Sequence, residues 1–370
     1  MKKALVLGLL LAALSLAARP ASPVLLVDLS HGENTNGLCA FMKTLPEAHW
    51  IVLVPKKDYK LPPCSIKAEV MVGNFASKQV VEALKKVDGV IIGQPTQYLT
   101  KDELKTLADW FKGGQKLLWC AGDSDYPAQG GVMEIAQHAC NDVFKAVGSK
   151  LRMDYVSVED TASNAGKPYR VIGIVNPTGT YDSYLVGLGA HKVLFHGPGA
   201  VAWVDRNGTW HKLTESLPKD VVILVTTTEN GRIVEHQPSR PGAPGDFGKA
   251  YSVGDTGKIV LMAAQVFGKE APYGVVIASG ESPYGGYQPM VSFRYHGKAL
   301  DGPRFVRNVF LWGLDYKAEL GSMMDVGNYA VKAVSSKVNQ QLSAYATMIQ
   351  ASLALAVLAI VLTLVLHFIA

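Results

Sequence analysis

Apolar and polar positions fall into two textures along this chain. From residue 24 to about 125, short apolar runs alternate with stretches of helical period. The runs Val24 to Leu29, Trp50 to Val54, Gly89 to Gly93 and Lys116 to Cys120 have the composition of buried parallel strands. Between them lie a short helical segment at Leu38 to Leu45, a loop at Pro55 to Pro63, and a helix capped by Ser77 with Val80, Val81 and Leu84 on one face. Thr100 and Glu103 form a Thr-x-x-Glu capping box, and Leu104, Leu107, Ala108 and Phe111 follow at the spacing of one helix face. Gly113 and Gly114 end that helix, since glycine accepts the left-handed conformation after a helix. Strand and helix in alternation predict an α/β fold with a doubly wound, mostly parallel sheet.

Ala128 to Val147 reads as helix, with Ile135, Ala139 and Val143 on one face. Beyond Ser149 the texture becomes β-rich. Runs at Tyr169 to Val175, Lys192 to Phe195, Val201 to Val204 and Val221 to Thr226 are separated by glycine, proline and asparagine. Asn207-Gly208 predicts a hairpin between Val204 and Trp210. Arg232 to Gly248 reads as an exposed loop, Ile259 to Ala264 and Gly274 to Ser279 as buried strands, and Arg304 to Leu314 as a helix burying Phe305, Val309 and Trp312. One ectodomain spanning 22–314, with a β-rich segment at 150–258, is the expected organisation.

Both ends read as membrane signals. Lys2 and Lys3 precede an apolar run from Ala4 to Ala18, the pattern of a signal peptide over 1–18. Residues 315–348 read as a helical stalk, and 349–370 are almost wholly apolar, long enough for one transmembrane helix in the lipid bilayer. The expected address is the cell membrane, single-pass, with the main domain extracellular. Four cysteines would then meet an oxidising exterior. Cys39, Cys64, Cys120 and Cys140 allow three pairings, and proximity favours Cys39–Cys64 with Cys120–Cys140. Asn207-Gly208-Thr209 is a glycosylation sequon.

The formal net charge is +5, with both signs scattered. No basic stripe with interleaved aromatics emerges, so nucleic acid is not an expected partner. There is no Cys-x-x-Cys, no His-Glu-x-x-His, no phosphate-binding loop, and no third glycine after Gly187 and Gly189. No metal and no cofactor is therefore expected. Gly280-Glu281-Ser282-Pro283-Tyr284 begins like a serine-hydrolase elbow, but Tyr284 breaks it.

In open α/β sheets, ligands bind beyond the carboxyl ends of the strands. The residues expected there are Asp28, His31 and Glu33 after the first strand, Asp123 and Asp125 after another, and Glu281 after a third. Carboxylates converging with a histidine suit cation binding, acid–base work or a recognition cleft; they also suit plain hydrogen bonding to loop amides. Tyr181, Tyr184, Trp203 and Trp210 offer faces for sugar stacking or ordinary packing.

The layout resembles the class I glutamine amidotransferase-like fold, and more narrowly the auxiliary component of gliding-motility-type ABC transporters and related exported domains. The resemblance rests on Asp28-Leu29-Ser30-His31-Gly32, on Leu99-Thr100-Lys101-Asp102-Glu103 running to Gly113-Gly114, on the GVVIASGES run from Gly274 to Ser282, and on Asp301-Gly302-Pro303-Arg304-Phe305 with Asn308 and Trp312. True amidotransferases place a nucleophilic cysteine at a Gly-x-Cys-x-Gly elbow. Cys120 falls there, with Leu118 in place of the first glycine, and His296 is followed by Lys298 where the family's carboxylate belongs. The resemblance therefore implies a non-catalytic surface subunit for binding or assembly, with membrane transporter subunits as partners and a small molecule or glycan as ligand. The alternatives are a hydrolase of amide or glycan bonds using Cys120 with His296, or the Asp28/His31 cluster, and a structural envelope protein.

Overall fold

The computed structural model describes residues 22–124, 133–234, 248–268, 274–315 and short stretches between 345 and 353. The chain divides into Met1–Tyr316 and Lys317–Ala370. In the first unit, strands β1 (Val24–Asp28), β2 (His49–Val54), β3 (Ala68–Val72), β4 (Gly89–Gly93) and β5 (Lys116–Ala121) alternate with helices α1 (Leu38–Met42), α2 (Lys78–Leu84) and α3 (Lys101–Phe111). Helix α4 (Met133–Ala146) follows. Then come β6 (Leu151–Asp154), β7 (Ser157–Asp160), β8 (Arg170–Val175), β9 (Lys192–His196), β10 (Ala200–Val204), β11 (Trp210–Lys212), β12 (Val221–Thr226) and β13 (Gly231–Val234). The unit closes with β14 (Val260–Phe267), β15 (Gly274–Ser279), the short β16 (Arg294–Tyr295) and β17 (Lys298–Ala299), and helix α5 (Gly302–Gly313).

Ten strands form one sheet in the order β3-β2-β1-β4-β5-β15-β14-β12-β8-β9. The six from β3 to β15 are parallel, and the remaining four continue antiparallel. Side chains alternate across a strand, so each run serves two cores. On one face Leu26, Ile51, Ile92 and Leu118 pack with Leu84, Leu107, Phe111 and Phe144 of α2, α3 and α4. On the other, Trp50 and Trp119 meet Phe310 of α5 at ring separations of 5.8 and 6.2 Å, and Phe41 of α1 lies 5.4 Å from Trp50. Helices therefore cover both faces of a mixed α/β sheet, and the apolar runs are continuous because both sides are buried.

The β-rich region is divided more finely than its sequence suggests. Strands β8, β9 and β12 extend the main sheet, while β6, β10 and β11 form a three-stranded sheet and β7 pairs with β13. The β10–β11 hairpin turns at Asn207-Gly208, with Gly208 at a φ of 86°. One element goes unread in the sequence and two readings need correction. Ala68–Val72 is an edge strand, whose Glu69 and Val70 are exposed, so it carries no uniformly apolar run. Gly231–Val234 is a strand where an exposed loop starting at Arg232 was expected, and Arg232 pairs instead with Glu159. Ser77 begins α2 but does not cap it: its hydroxyl serves the preceding turn, donating to Asn74 Oδ1 at 3.0 Å, and Val81 is exposed.

Two disulfides staple the first unit. Cys39–Cys64 has a Cα separation of 5.2 Å, and Cys120–Cys140 joins β5 to α4 with a Cα separation of 5.6 Å. The expected signal peptide, nearly all of the stalk and most of the anchor lie outside the described residues. Among the described residues, no helix is long and apolar enough to cross a membrane.

Candidate functional site

Two side-chain clusters occupy the carboxyl ends of the parallel strands. The first is built on β1. Asp28 is fully buried, and its Oδ1 accepts from the Ser30 amide (2.9 Å) and hydroxyl (2.6 Å). Its Oδ2 lies 2.6 Å from His31 Nδ1, while His31 Nε2 lies 3.0 Å from Glu103 Oε1. The imidazole is thus held between two carboxylates. Burial opposes its charge, but the Asp28 carboxylate and the hydrogen bonds to Asp28 and Glu103 outweigh burial and raise His31 to about 11. Glu103 shows the complement: burial opposes its charge, yet hydrogen bonds from His31 and Thr100 lower it to about 2.

Glu103 does two jobs. Its Oε2 accepts from the Thr100 amide and hydroxyl at 2.8 and 2.7 Å, completing the capping box of α3. Its Oε1 takes His31. The helix start is thereby locked to the end of β1. Glu33 sits beside them, with Oε2 accepting from the His31 amide at 3.0 Å. Burial and the Asp28 charge push the Glu33 carboxyl well up, and its buried Oε1 has no partner among the described residues. Asp28, His31 and Glu33 bring potential ligand atoms within 4.8 Å of one another, a spacing that would hold a metal ion. Both imidazole nitrogens are already engaged by carboxylates, so a cation bound here would have to displace one of those bonds.

The second cluster lies at the ends of β4, β5 and β15. Glu281, 1% exposed, accepts from Gln94 Nε2 (3.0 Å) and the Ser282 amide (2.8 Å) through Oε1, and from the His196 amide (2.8 Å) through Oε2. Burial raises Glu281 and Asp123 well above the carboxylate range, and Asp123 adds like-charge repulsion to Glu281. Gln137 Nε2 donates to the Asp123 carbonyl at 2.6 Å. The Oε1 atoms of Gln94 and Gln137, and His196 Nε2, are buried with no partner among the described residues. Burial, with Arg170 and His296 nearby, lowers His196 to about 4, so its ring is neutral. Tyr284 bridges the clusters: its hydroxyl accepts from the Gly93 amide at 3.0 Å and donates to the Asp28 carbonyl at 2.6 Å.

The structure thus separates residues that the sequence reading gathered into one convergence. Asp28, His31 and Glu33 form one group; Asp123 and Glu281 form another; Asp125 lies outside the described residues. The catalytic pair Cys120 and His296 is not assembled. Cys120 is fully buried and bonded to Cys140, because strand alternation points its side chain into the helix-covered core. His296 is exposed in the turn between β16 and β17, stacked edge-on against Tyr295. Trp203 and Trp210 belong to the hairpin, and Trp203 Nε1 donates to the Ser216 carbonyl. The Tyr181 carbonyl accepts from Trp312, and Tyr184 is exposed. Asn207 is exposed at the hairpin tip.

Sequence reading missed Glu103 as a site residue, along with Gln94, Gln137 and His196. The capping box drew attention to Glu103, but nothing local signals its bond to a residue 72 positions away. Gln94 carries a φ of 53°, a backbone strain visible only in three dimensions.

No protein-family model matches this chain, and no curated protein matches it. Among solved structures, a short chain dehydrogenase family protein from Francisella tularensis subsp. tularensis SCHU S4 is 12% identical, with a TM-score of 0.21. That match covers 34% of this chain and 63% of the other, so the chain spans less than two thirds of the structure it matches. A likeness this slight carries no argument about fold or activity.

Proposed function

We propose that this chain is a membrane-anchored, exported binding or assembly subunit, and that its α/β domain is a non-catalytic variant of the amidotransferase-like fold. The observation that carries the reading is the state of the candidate catalytic groups. Cys120 sits where such enzymes keep their nucleophile, yet it is buried in a disulfide with Cys140. His31 is a clamped imidazolium and cannot act as a base at neutral pH. Two disulfides support export to an oxidising compartment. The apolar segment 349–370 supports a bilayer anchor, and the likeness of Asp28 to Gly32 and Gly274 to Ser282 to the transporter auxiliary pattern supports transporter subunits as neighbours.

The test combines fractionation with thiol chemistry on the full chain. The protein should sediment with membranes, lose its ectodomain to protease added outside intact cells, and show no alkylation of Cys120 without reductant. A protein found in the soluble fraction, or one whose Cys120 labels rapidly, would overturn the reading and return the hydrolase alternative.

A further inference from the structure

The carboxyl end of β15 is roofed by side chains from four separate segments. Tyr169 and Arg170 come from the start of β8, His196 from the end of β9, Tyr287 from the loop after Tyr284, and Tyr295 from β16. The His196 ring stacks on Tyr287 at 4.6 Å and is met edge-on by Tyr169 at 5.5 Å and Tyr295 at 5.7 Å. The Arg170 guanidinium lies over Tyr169 at 5.3 Å and over Tyr295 at 5.8 Å.

This cluster is fixed from below and open above. The His196 amide is tied to Glu281, and Asn36 Nδ2 donates to the carbonyls of Gly286 and Tyr287 at 2.9 and 3.2 Å. Tyr287 is nonetheless 63% exposed and the nearby-in-sequence Phe293 73% exposed. The hairpin adjoining Tyr295 adds exposed Arg294, His296 and Lys298. Among the described residues, Arg232 and Arg307 are in ion pairs, but Arg170, Arg294 and Lys298 are in none. Arg170 Nε and His196 Nε2 are buried without a partner among the described residues.

Resting on the binding-domain reading, we infer that this aromatic and cationic face is the ligand site, and that its ligand is an acidic saccharide bearing uronate carboxylates. Tyrosine faces pack against the apolar face of a sugar ring. A guanidinium fork matches a carboxylate in two parallel hydrogen bonds. A neutral sugar would leave the cations unpaired, and an acidic peptide would leave the ring faces unused. The acidic saccharide satisfies both in one molecule.

The test is calorimetric titration of the full chain in detergent with an oligogalacturonate. Neutral chito-oligosaccharide and poly-L-glutamate serve as comparisons. Oligogalacturonate should bind, and Tyr287→Ala and Arg170→Gln should each weaken it by about tenfold or more. Neutral oligosaccharide should bind far more weakly. Melting temperatures of both variants report whether they fold, and Lys298→Ala at an exposed position should weaken binding without touching the fold. Absence of oligogalacturonate binding overturns the inference. So does equal affinity for poly-L-glutamate with no loss in Tyr287→Ala, which reveals a bare charge surface. Either result with intact disulfides and membrane anchoring leaves the binding-subunit reading standing; reduced, soluble protein removes that reading first.

Discussion

The ends of β1 and β15 lie at the same carboxyl end of the parallel strands, yet they are built on opposite principles. At β1 the ionic groups meet counterparts: Asp28 holds His31, His31 reaches Glu103, and Glu103 closes the helix cap. The histidine is 4% exposed, and in this cluster Glu33 Oε1 alone is left without a partner among the described residues. Beyond β15 the buried carboxyl is tied down, but Gln94, Gln137, Arg170 and His196 each keep a buried polar atom without a partner among the described residues, and the exposed Tyr287 stacks on His196. A satisfied buried network fixes a fold, whereas an unsatisfied one under an open face is where binding energy can be gained. The titratable cluster that looked most like chemistry in the sequence is therefore architectural, and the face beside it is the better candidate for recognition.

The sharpest way to break this contrast is to remove the clamp. His31→Ala strands two buried carboxylates and should destabilise the domain by about 3–5 kcal/mol, measured by urea unfolding of the full chain in detergent. A loss under about 1 kcal/mol would mean that the cluster is not architectural. The pH dependence probes the same bond without mutation. His31 is raised to about 11, so its contribution is complete below about pH 6.5 and drains away as pH rises towards 11. The raised Glu33, Asp123 and Glu281 carboxyls act in the same sense, their contribution being full below the ordinary carboxylate range and lost as pH climbs. Glu103, lowered to about 2, and His196, lowered to about 4, act oppositely and erode stability on acidification. The melting temperature should thus peak on the acid side of neutrality and fall steadily in alkali. A flat profile from pH 6.5 to 10 would contradict the clamp.

Smaller effects sharpen the comparison. Replacing Cys120 and Cys140 together by alanine removes a staple of sequence separation 20, a loss of about 3 kcal/mol in chain-entropy terms, and should leave ligand binding at the Tyr287 face intact. Thr100→Ala deletes the cap hydroxyl and should cost about 1 kcal/mol. Tyr287→Ala, on the open face, should change stability by no more than about 0.5 kcal/mol, so that any effect it has is on binding.

Much of the scaffold was legible because it follows from local rules. The four apolar runs from Val24 to Cys120 became β1, β2, β4 and β5, and the Thr100–Glu103 cap formed as its spacing requires. The Asn207-Gly208 hairpin likewise follows from the backbone freedom of its glycine. The edge strand β3 escaped notice because an edge buries little and needs no apolar run. The candidate site was half legible. Asp28, His31, Asp123 and Glu281 stand at strand ends as expected, but which of them meet depends on sheet order, and β4 intervenes between β1 and β5.

The sequence by itself determined the periodicities, the helix cap and the set of cysteines able to pair, because each depends on residues a few positions apart. Proximity in sequence already favoured Cys120–Cys140, but tertiary structure alone decided that Cys120 turns into the helix-covered core, that Glu103 reaches across 72 positions to His31, and that four distant segments surround His196. Those outcomes depend on strand order and on which side of the sheet each side chain emerges, and no local pattern encodes either.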